Sequence, residues 1–289
     1  MTGGTLNTSD FTNFATLAMN GSNGLVSLTG NFNNSGTVGL SGSGDTLTAN
    51  GFTNTGNVAV GANETLIATT GYTQSNGSTN VAGQLKTNSF QHNGGITTVG
   101  TGGKISASTF NVAGGDVQGT GAITGAVSMS GGRITPGSFT TQTPGTLTIN
   151  GSFQQSGGIF DELIKSGSNG LLTVNGSVAL KGSAMLDLTL LNGFTPTIGQ
   201  SFDILNYFPG SGLTGTWSNA TSSFTMAGFN WGINYGFNGD EVVITAQSPI
   251  TTTPTPEPST LVLFGTGLLG LAGYARTRKR FTKRTEAIS

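Results

Sequence analysis

Two consecutive 20-residue segments decide the fold: Phe32–Gly51, FNNSGTVGLSGSGDTLTANG, and Phe52–Gly71, FTNTGNVAVGANETLIATTG. Both open with an aromatic residue and an Asn-containing turn, and both continue with Gly, two alternating small or aliphatic residues, a polar turn and Thr-Leu. Period-2 alternation between clusters of Gly, Asn and Ser is typical of short β-strands separated by turns. The segments therefore predict a repetitive β-structure with coils of about 20 residues.

Aromatic residues mark the same repeat over the first third of the chain. They recur with spacings of 21, 20, 20, 18 and 20 residues, at Phe11, Phe32, Phe52, Tyr72, Phe90 and Phe110. A unit of this length cannot bury its apolar side alone, whereas stacked coils place each side chain about 4.8 Å from its counterpart. We therefore predict an internal aromatic stack, in which the burial of each side chain contributes roughly 1.5–3 kcal/mol.

The same periodicity also fits an up-and-down antiparallel sheet built from hairpins. A solenoid is favoured because side chains of one type recur at one phase of the repeat. The period is too short for a βαβ unit, which needs roughly 30 residues or more. No stretch before residue 260 has a helical pattern. The expected fold class is all-β, a parallel β-solenoid over residues 1–206.

A second pattern near the C-terminus predicts a β cap over residues 207–246. Apolar residues alternate strictly with other residues at Phe229, Trp231, Ile233, Tyr235 and Phe237. Asn238-Gly239 follows and then Glu241–Ala246, which together are typical of a hairpin. An open solenoid end needs such a cap to avoid edge-to-edge association.

Composition excludes several kinds of chemistry. The chain has no Cys, and His92 is its single His, so a disulfide framework, a thiol nucleophile and a zinc finger are excluded. Up to residue 258, five basic residues stand against eleven acidic ones, a net charge of −6, which gives no basic stripe for nucleic acid. We interpret His92, within Gln-His-Asn-Gly, as a solvated turn residue.

No combination of residues predicts an active site or a metal site. The adjacent pairs Asp161-Glu162 and Asp240-Glu241 point to opposite faces of a strand, so neither forms a catalytic dyad by itself. The basic residues of the body are scattered. Gly42–Leu47 is one residue short of a calcium-binding nonapeptide and occurs once, so we interpret it as a polar turn. We expect no enzyme activity, no catalytic residue, no metal and no cofactor.

Four segments of the second half resemble the C-terminal part of autotransporter-type passenger β-helices. They are Gly131–Gly137 (GGRITPG), Pro144–Gly151 (PGTLTING), Leu172–Gly176 (LTVNG) and Leu190–Leu205 (LLNGFTPTIGQSFDIL). The resemblance implies a right-handed parallel β-helix. This sequence departs from the family at Asn169-Gly170, where an acidic residue often precedes the Leu-Thr-Val run.

The tail divides into a linker, an apolar run and a basic cluster. Residues 247–258 (QSPITTTPTPEP) are rich in Thr and Pro and predict an extended linker. Ser259–Ala275 carries no charge and predicts one transmembrane helix of about 25 Å. Its core is Leu261, Val262, Leu263, Phe264, Leu268, Leu269 and Leu271. The basic cluster of residues 259–289 is Arg276, Arg278, Lys279, Arg280, Lys283 and Arg284. By the positive-inside rule this cluster is cytoplasmic, and the body lies outside the inner membrane.

Pro256, Glu257 and Pro258, followed by the apolar run and the basic cluster, resemble the PEP-CTERM sorting signal. The resemblance implies recognition by an exosortase-type membrane enzyme, which cuts near these residues and releases or re-anchors the body. It also implies a bacterium that produces exopolysaccharide. A plain, permanent membrane anchor is the alternative.

The start of the sequence does not match an exported protein. Met1–Thr5 has neither a basic region nor an apolar run, although export needs an N-terminal targeting segment. Gly4–Asn13 (GTLNTSDFTN) aligns with Asp45–Asn54 (DTLTANGFTN), so the chain begins in the middle of a coil. We expect a signal peptide and earlier coils to precede this sequence.

These expectations combine into one function and two alternatives. The leading hypothesis is an exported structural or adhesion-type protein of the cell surface or extracellular matrix, which passes transiently through the inner membrane. Its exposed Thr, Ser and Asn rows would hydrogen-bond to exopolysaccharide, as in a biofilm. One alternative is a polysaccharide-degrading β-helix enzyme, which clustered acids and a base on one solenoid face would favour. The other is a permanently membrane-anchored surface protein.

Overall fold

The computed structural model describes residues 5–210 and 212–250, together with Thr266, Leu269 and Tyr274. The chain divides into two compact units, Met1–Pro249 and Ile250–Ser289. The described part of the first unit contains β-strands and turns and no helix. The expected all-β class is therefore confirmed for this unit.

Twenty-nine strands make up the described part of the first unit. In chain order they are β1 (Thr5–Thr8), β2 (Phe11–Asn13), β3 (Thr16–Met19), β4 (Leu25–Leu28), β5 (Phe32–Asn34), β6 (Thr37–Leu40), β7 (Thr46–Asn54), β8 (Asn57–Val60), β9 (Thr65–Gln74), β10 (Ser78–Val81), β11 (Gln84–His92), β12 (Ile96–Val99), β13 (Lys104–Val112), β14 (Asp116–Gly119), β15 (Ala122–Met129), β16 (Arg133–Ser138), β17 (Thr143–Pro144), β18 (Thr146–Asn150), β19 (Phe153–Gln155), β20 (Ile159–Lys165), β21 (Ser168–Asn169), β22 (Leu171–Val174), β23 (Val178–Leu180), β24 (Met185–Leu190), β25 (Ser201–Tyr207), β26 (Leu213–Thr214), β27 (Ser223–Met226), β28 (Phe229–Phe237) and β29 (Glu241–Pro249).

Consecutive coils pair in parallel, which identifies a β-solenoid and excludes the hairpin alternative for the repeat. Strands β7, β9, β11 and β13 follow one another in one sheet, and β6, β8, β10 and β12 follow one another in a second. Phe52 lies opposite Tyr72, and Tyr72 lies opposite Phe90, as the repeat predicts. The right-handed sense stays a prediction from the resemblance.

Longer strands of the first sheet bend near their middle and give each coil three short runs. The pairing between β7 and β9 shifts register between Ala49 and Gly51, and the pairing between β13 and β15 shifts register between Ser106 and Thr109. A shift of this kind bends the strand locally. The bend turns the same strand around the interior, so that all three runs of a coil can face one core.

One corner carries Gly in most of the coils because the coils approach closely there. Gly77 and Gly95 have φ values of 68° and 73°, in the left-handed region that favours Gly. A Cβ on Gly77 would lie 1.9 Å from the carbonyl oxygen of Gly56, and one on Gly95 would lie 2.4 Å from that of Gly77. The high Gly content therefore includes positions that the stacking itself imposes.

Apolar side chains of successive coils form continuous columns inside the solenoid. The column that precedes the aromatic residues is fully buried, and its register partners are Leu47, Leu66, Leu85, Ile105 and Ile123. Each such side chain removes its surface from water only because the next coil covers it. The core therefore runs lengthwise through the coils rather than lying between two layers.

The hairpin predicted near the C-terminus is present. Strands β28 and β29 pair antiparallel, and Asn238 and Gly239 between them have φ values of 51° and 94°. Strand β29 also pairs antiparallel with β25, and Trp231 on β28 is fully buried. The boundaries of a separate cap over residues 207–246 stay a prediction.

The predicted transmembrane segment lies almost entirely outside the described residues. Three of its positions are described, and Thr266, Leu269 and Tyr274 are all helical. Within the described part of the chain, no helix is long and apolar enough to cross a bilayer. The transmembrane helix over residues 259–275 therefore stays a prediction.

Candidate functional site

The aromatic residues of the repeat form the predicted internal stack. Ring centroids are 4.7 Å apart for Phe32 and Phe52, 5.0 Å for Phe52 and Tyr72, 4.9 Å for Tyr72 and Phe90, and 4.4 Å for Phe90 and Phe110. These four pairs are within 18° of parallel. Each pair contributes about 0.5–1.5 kcal/mol beyond the burial of its area. The stack is therefore a stabilising column and not an exposed binding surface.

A column of amide side chains runs beside the aromatic stack. Asn13, Asn34, Asn54 and Gln74 lie in register, each two residues after an aromatic residue, and all are buried. The Nδ2 group of each Asn donates to the side-chain oxygen of the next member of the column, one coil further on, at 2.8, 2.7 and 2.9 Å. Each Nδ2 also donates to a backbone carbonyl of the next coil, and these carbonyls belong to Thr37, Asn57 and Ser78. Because the amides bind one another, the polar column can be buried without orphaned donors.

The amide column ends at His92, where the interpretation from sequence was wrong. His92 is fully buried on β11 and lies opposite Gln74. Its Nε2 is 3.2 Å from the carbonyl oxygen of Asp116, and its Nδ1 is 3.5 Å from Thr97 Oγ1. Burial lowers the pKa of His92 to about 4, against the opposing effect of the backbone hydrogen bond. The strand period, rather than the local turn residues, decides where this side chain points.

Tyr72 carries its hydroxyl group into the same polar column. The Tyr72 hydroxyl is 2.6 Å from Thr79 Oγ1, and Thr79 Oγ1 donates to Gln74 Oε1 at 2.5 Å. Burial raises the pKa of Tyr72 well above its usual range, although the hydrogen bond between the Tyr72 hydroxyl and Thr79 Oγ1 opposes this. The phenol therefore stays neutral and serves as a hydrogen-bonding member of the interior.

A charged cluster joins four neighbouring strands of the second sheet. Arg133 Nη1 donates to Asp161 Oδ2 at 2.9 Å, and Arg133 Nε is 3.8 Å from Asp116 Oδ1. Thr189 Oγ1 donates to the other oxygen of Asp161 at 3.3 Å. The ring of Phe139 lies 4.5 Å from the Arg133 guanidinium carbon, a cation–π contact. The base and acids that the sequence leaves scattered therefore meet on one face.

The cluster has the composition of a catalytic site, and its burial is uneven, since the side chains of Arg133 and Asp116 are 24% and 38% exposed. Asp161 has no exposed surface. Burial raises the pKa of Asp161, and the charge of Arg133 and the hydrogen bond from it lower that pKa. A substrate outside the solenoid cannot contact a carboxylate that is covered in this way. We therefore assign the cluster to holding β14, β16, β20 and β24 together.

Glu162, the neighbour of Asp161, faces a different environment. Asn169 Nδ2 donates to Glu162 Oε1 at 3.2 Å, while Oε2 is buried without a hydrogen-bond partner. Burial raises the pKa of Glu162 well above its ordinary value, which favours the neutral acid. Asp161 and Glu162 bind different partners, as expected for adjacent residues on a strand.

Exposed rows of the first sheet form an open groove of about 490 Å³. Its lining residues are Ile67, Thr69, Lys86, Thr87, Ser106, Ala107, Ser108 and Thr124. Four of them, Ile67, Lys86, Ser106 and Thr124, are register partners on successive coils, so the groove runs along the solenoid. Hydroxyl groups and one Lys along such a groove suit an extended polar chain. Sequence reasoning expected exposed polar rows but not this groove, which follows from the bend of the strands.

Most residues of the predicted sorting segment lie outside the described residues. These are Pro256, Glu257, Pro258, the basic cluster and the predicted transmembrane positions other than Leu269. Leu269 is helical and 74% exposed. Within the part of the chain that the structure describes, no three acidic or histidine side chains are grouped to hold a metal ion.

Comparison with known proteins identifies the tail. Residues 254–279 match the PEP-CTERM protein-sorting motif, which confirms that resemblance. No curated protein and no solved structure matches the chain. The motif marks a secreted or cell-surface protein that an exosortase-type enzyme sorts. The likeness to autotransporter passengers stays a prediction.

Proposed function

We propose that this chain, which carries a PEP-CTERM protein-sorting motif over residues 254–279, is a structural or adhesion-type protein of the cell surface or extracellular matrix. One observation carries the proposal: the coils bury their aromatic, aliphatic and amide columns, and their outward rows are mainly polar and carry few charges. Such a rod offers a long surface for repeated weak contacts. The proposal includes no catalytic activity.

The groove lined by Ile67, Lys86, Ser106 and Thr124 supports exopolysaccharide as the contacted material. Each of the four coils that line the groove contributes at least one hydroxyl group, and these come from Thr69, Thr87, Ser106, Ser108 and Thr124. A glycan chain also presents hydroxyl groups at regular intervals, so one chain can form many equivalent hydrogen bonds. Each bond is weak, and avidity along the rod supplies the strength.

Retention on the organism's own exopolysaccharide tests this role. The purified chain is expected to be retained, and Ser106→Trp, which fills the floor of the groove, is expected to reduce retention about tenfold, equal to about 1.4 kcal/mol. Asn80→Trp is the matched control, because Asn80 is exposed on β10 of the other sheet. Equal retention of the two variants, or no retention of the unchanged chain, would exclude the groove as the contact.

The sorting motif supports a route as well as a destination. We infer that the apolar run Ser259–Ala275 holds the chain in the inner membrane transiently, with the basic cluster in the cytoplasm, until the exosortase-type enzyme cuts near Pro256–Pro258. Mass spectrometry of the mature protein tests this step. A C-terminus near Pro258 is expected, whereas an intact Ser289 on the surface protein would favour a permanent anchor.

The polysaccharide-degrading alternative has one observation in its favour, the Arg133, Asp116 and Asp161 cluster. The burial of Asp161 counts against it. Reducing-end release across a panel of polysaccharides separates the two functions. We expect no release. Release that Asp161→Asn abolishes, with the fold retained, would establish the alternative.

A further inference from the structure

Two carboxylates lie in one corner of the solenoid on successive coils. Asp45 and Glu64 immediately precede Thr46 and Thr65, which are register partners on β7 and β9, and both side chains are fully buried. Asp45 Oδ1 accepts the backbone N–H of Gly24 at 2.7 Å. Glu64 Oε2 accepts the backbone N–H of Asp45 at 2.5 Å. Each carboxylate therefore reaches back by one coil, so that the two are stacked.

The other oxygen of each carboxylate is buried and has no hydrogen-bond partner. These atoms are Asp45 Oδ2 and Glu64 Oε1. Both ion pairs formed among the described residues involve Arg133, so neither acid is neutralised by a base. Buried carboxylates are ordinarily paired, protonated or bound to a metal ion, because removing an isolated charge from water is costly. A bound cation would supply a compensating positive charge for two such groups in one corner.

Asp45 Oδ2 lies close to a backbone carbonyl of the preceding coil. A Cβ on Gly42 would lie 2.5 Å from Asp45 Oδ2 and 1.9 Å from the carbonyl oxygen of Gly21. An unpartnered carboxylate oxygen and a carbonyl oxygen therefore border the same small volume. The Gly21 carbonyl accepts one hydrogen bond, from Ser43 N–H at 3.0 Å, and a carbonyl oxygen has a second lone pair.

The spacing and the donor atoms select the kind of cation. Groups stacked on successive coils are about 4.8 Å apart, which is about twice a Ca²⁺–oxygen distance of 2.3–2.6 Å. All of the available donors are oxygen atoms, which hard cations prefer, and the corner offers neither thiolate nor imidazole. Mg²⁺ needs shorter distances and octahedral geometry.

We propose that Asp45 and Glu64 bind one divalent cation of the calcium type, with the Gly21 carbonyl and water molecules as further ligands. The expectation of no metal site rested on the nonapeptide spacing around Gly42–Leu47. A ligand pair that comes from two stacked coils does not need that spacing. The cation would link two coils through their corner and remove the unpaired negative charge.

Calcium binding and thermal unfolding of the full chain test the proposal. Equilibrium dialysis is expected to give one Ca²⁺ per chain, and 10 mM CaCl₂ is expected to raise Tm by about 5 °C relative to EDTA. Asp45→Asn and Glu64→Gln are each expected to abolish both effects. Asp10→Asn is the matched control, because Asp10 Oδ1 also accepts a backbone N–H, from Asn31 at 2.6 Å, but at an exposed corner.

Several outcomes overturn the assignment. If the unchanged chain binds no Ca²⁺ and its Tm is the same in CaCl₂ and EDTA, the corner holds protons or water instead. If Asp45→Asn or Glu64→Gln keeps the calcium response, the ion binds elsewhere. If a variant does not fold, the comparison of CaCl₂ with EDTA on the unchanged chain decides, with MgCl₂ at the same concentration expected to give the smaller shift.

Discussion

Individual side chains in this solenoid are buried by the side chain at the same position in the next coil. Phe90 shows this most clearly, because it stacks on Tyr72 on one side and on Phe110 on the other and has no exposed surface. Its side chain alone would be an exposed aromatic group on a 20-residue coil. The interior therefore exists only as a property of stacked residues.

Phe90→Ala is expected to lower the free energy of unfolding by about 3–5 kcal/mol, since it leaves a cavity between two rings. Urea denaturation followed by circular dichroism measures the loss. Phe14→Ala is the control, because Phe14 is 80% exposed, and a change within about 0.5 kcal/mol is expected there. Similar losses for both variants would contradict the internal stack.

His92 is expected to make the protein sensitive to acid. Its pKa of about 4 in the folded state lies below the ordinary value of 6.5, so the unfolded chain takes up the proton first as pH falls. Stability contributed by the neutral imidazole is full above pH 6.5 and is lost progressively down to about pH 4, by roughly 3 kcal/mol in all.

His92→Gln removes the titrating group and extends the column with another amide side chain. The difference in unfolding free energy between pH 7 and pH 4.5 is therefore expected to be smaller in this variant than in the unchanged chain. Urea denaturation at the two pH values measures both differences. An identical pH dependence would show that His92 is not the group responsible.

For strands and columns, the sequence repeat was enough to predict the features that recur at the same position in successive coils. The aromatic stack, the parallel solenoid and the hairpin that Asn238-Gly239 closes follow from spacing and turn residues that are local in the sequence. The amide column carried a signal of its own, an amide two residues after Phe11, Phe32, Phe52 and Tyr72. That signal was hidden because Asn is also one of the residues that dominate turns.

Contacts that join residues of unlike type could not be predicted from the repeat. Arg133 meets Asp161 across 28 positions because a longer coil separates β16 from β20. Asp45 and Glu64 share a corner only because their coils differ in turn sequence but keep one register. The sequence period predicts the register of the strands, whereas these pairs depend on which side chains occupy neighbouring positions of adjacent strands.

The amide column predicts a large difference between two adjacent residues. Asn34→Ala leaves Asn13 and Asn54 with buried groups that lose a partner, and a loss of about 2–3 kcal/mol is expected. Asn33→Ala changes an exposed residue of the same strand and is expected to cost less than about 0.5 kcal/mol. Urea denaturation of the two variants gives the comparison, and equal losses would contradict the column.

Across the whole molecule, the sorting tail and the solenoid have complementary roles. The tail addresses the protein to export and processing. The body supplies repeated polar surface whose stability does not depend on a disulfide, since the chain has no Cys. An extracellular role for a rod of this kind needs a stable interior more than it needs an active site.

Engineered disulfides test the parallel stacking of consecutive coils, because the native chain has no Cys that would compete in the reaction. Thr53 and Thr73 are register partners on adjacent coils, and Gln91 is the partner of Thr73 one coil further on. Their Cα atoms are expected to lie about 4.8 Å apart for adjacent coils and about 9.6 Å apart across two.

A disulfide needs Cα atoms closer than about 7 Å. The double variant Thr53→Cys/Thr73→Cys is therefore predicted to oxidise fully to an intramolecular disulfide, and Thr53→Cys/Gln91→Cys is predicted to stay reduced under the same conditions. Mass spectrometry after alkylation reads both results. A free thiol pair in the first variant, or a disulfide in the second, would contradict the stacked solenoid.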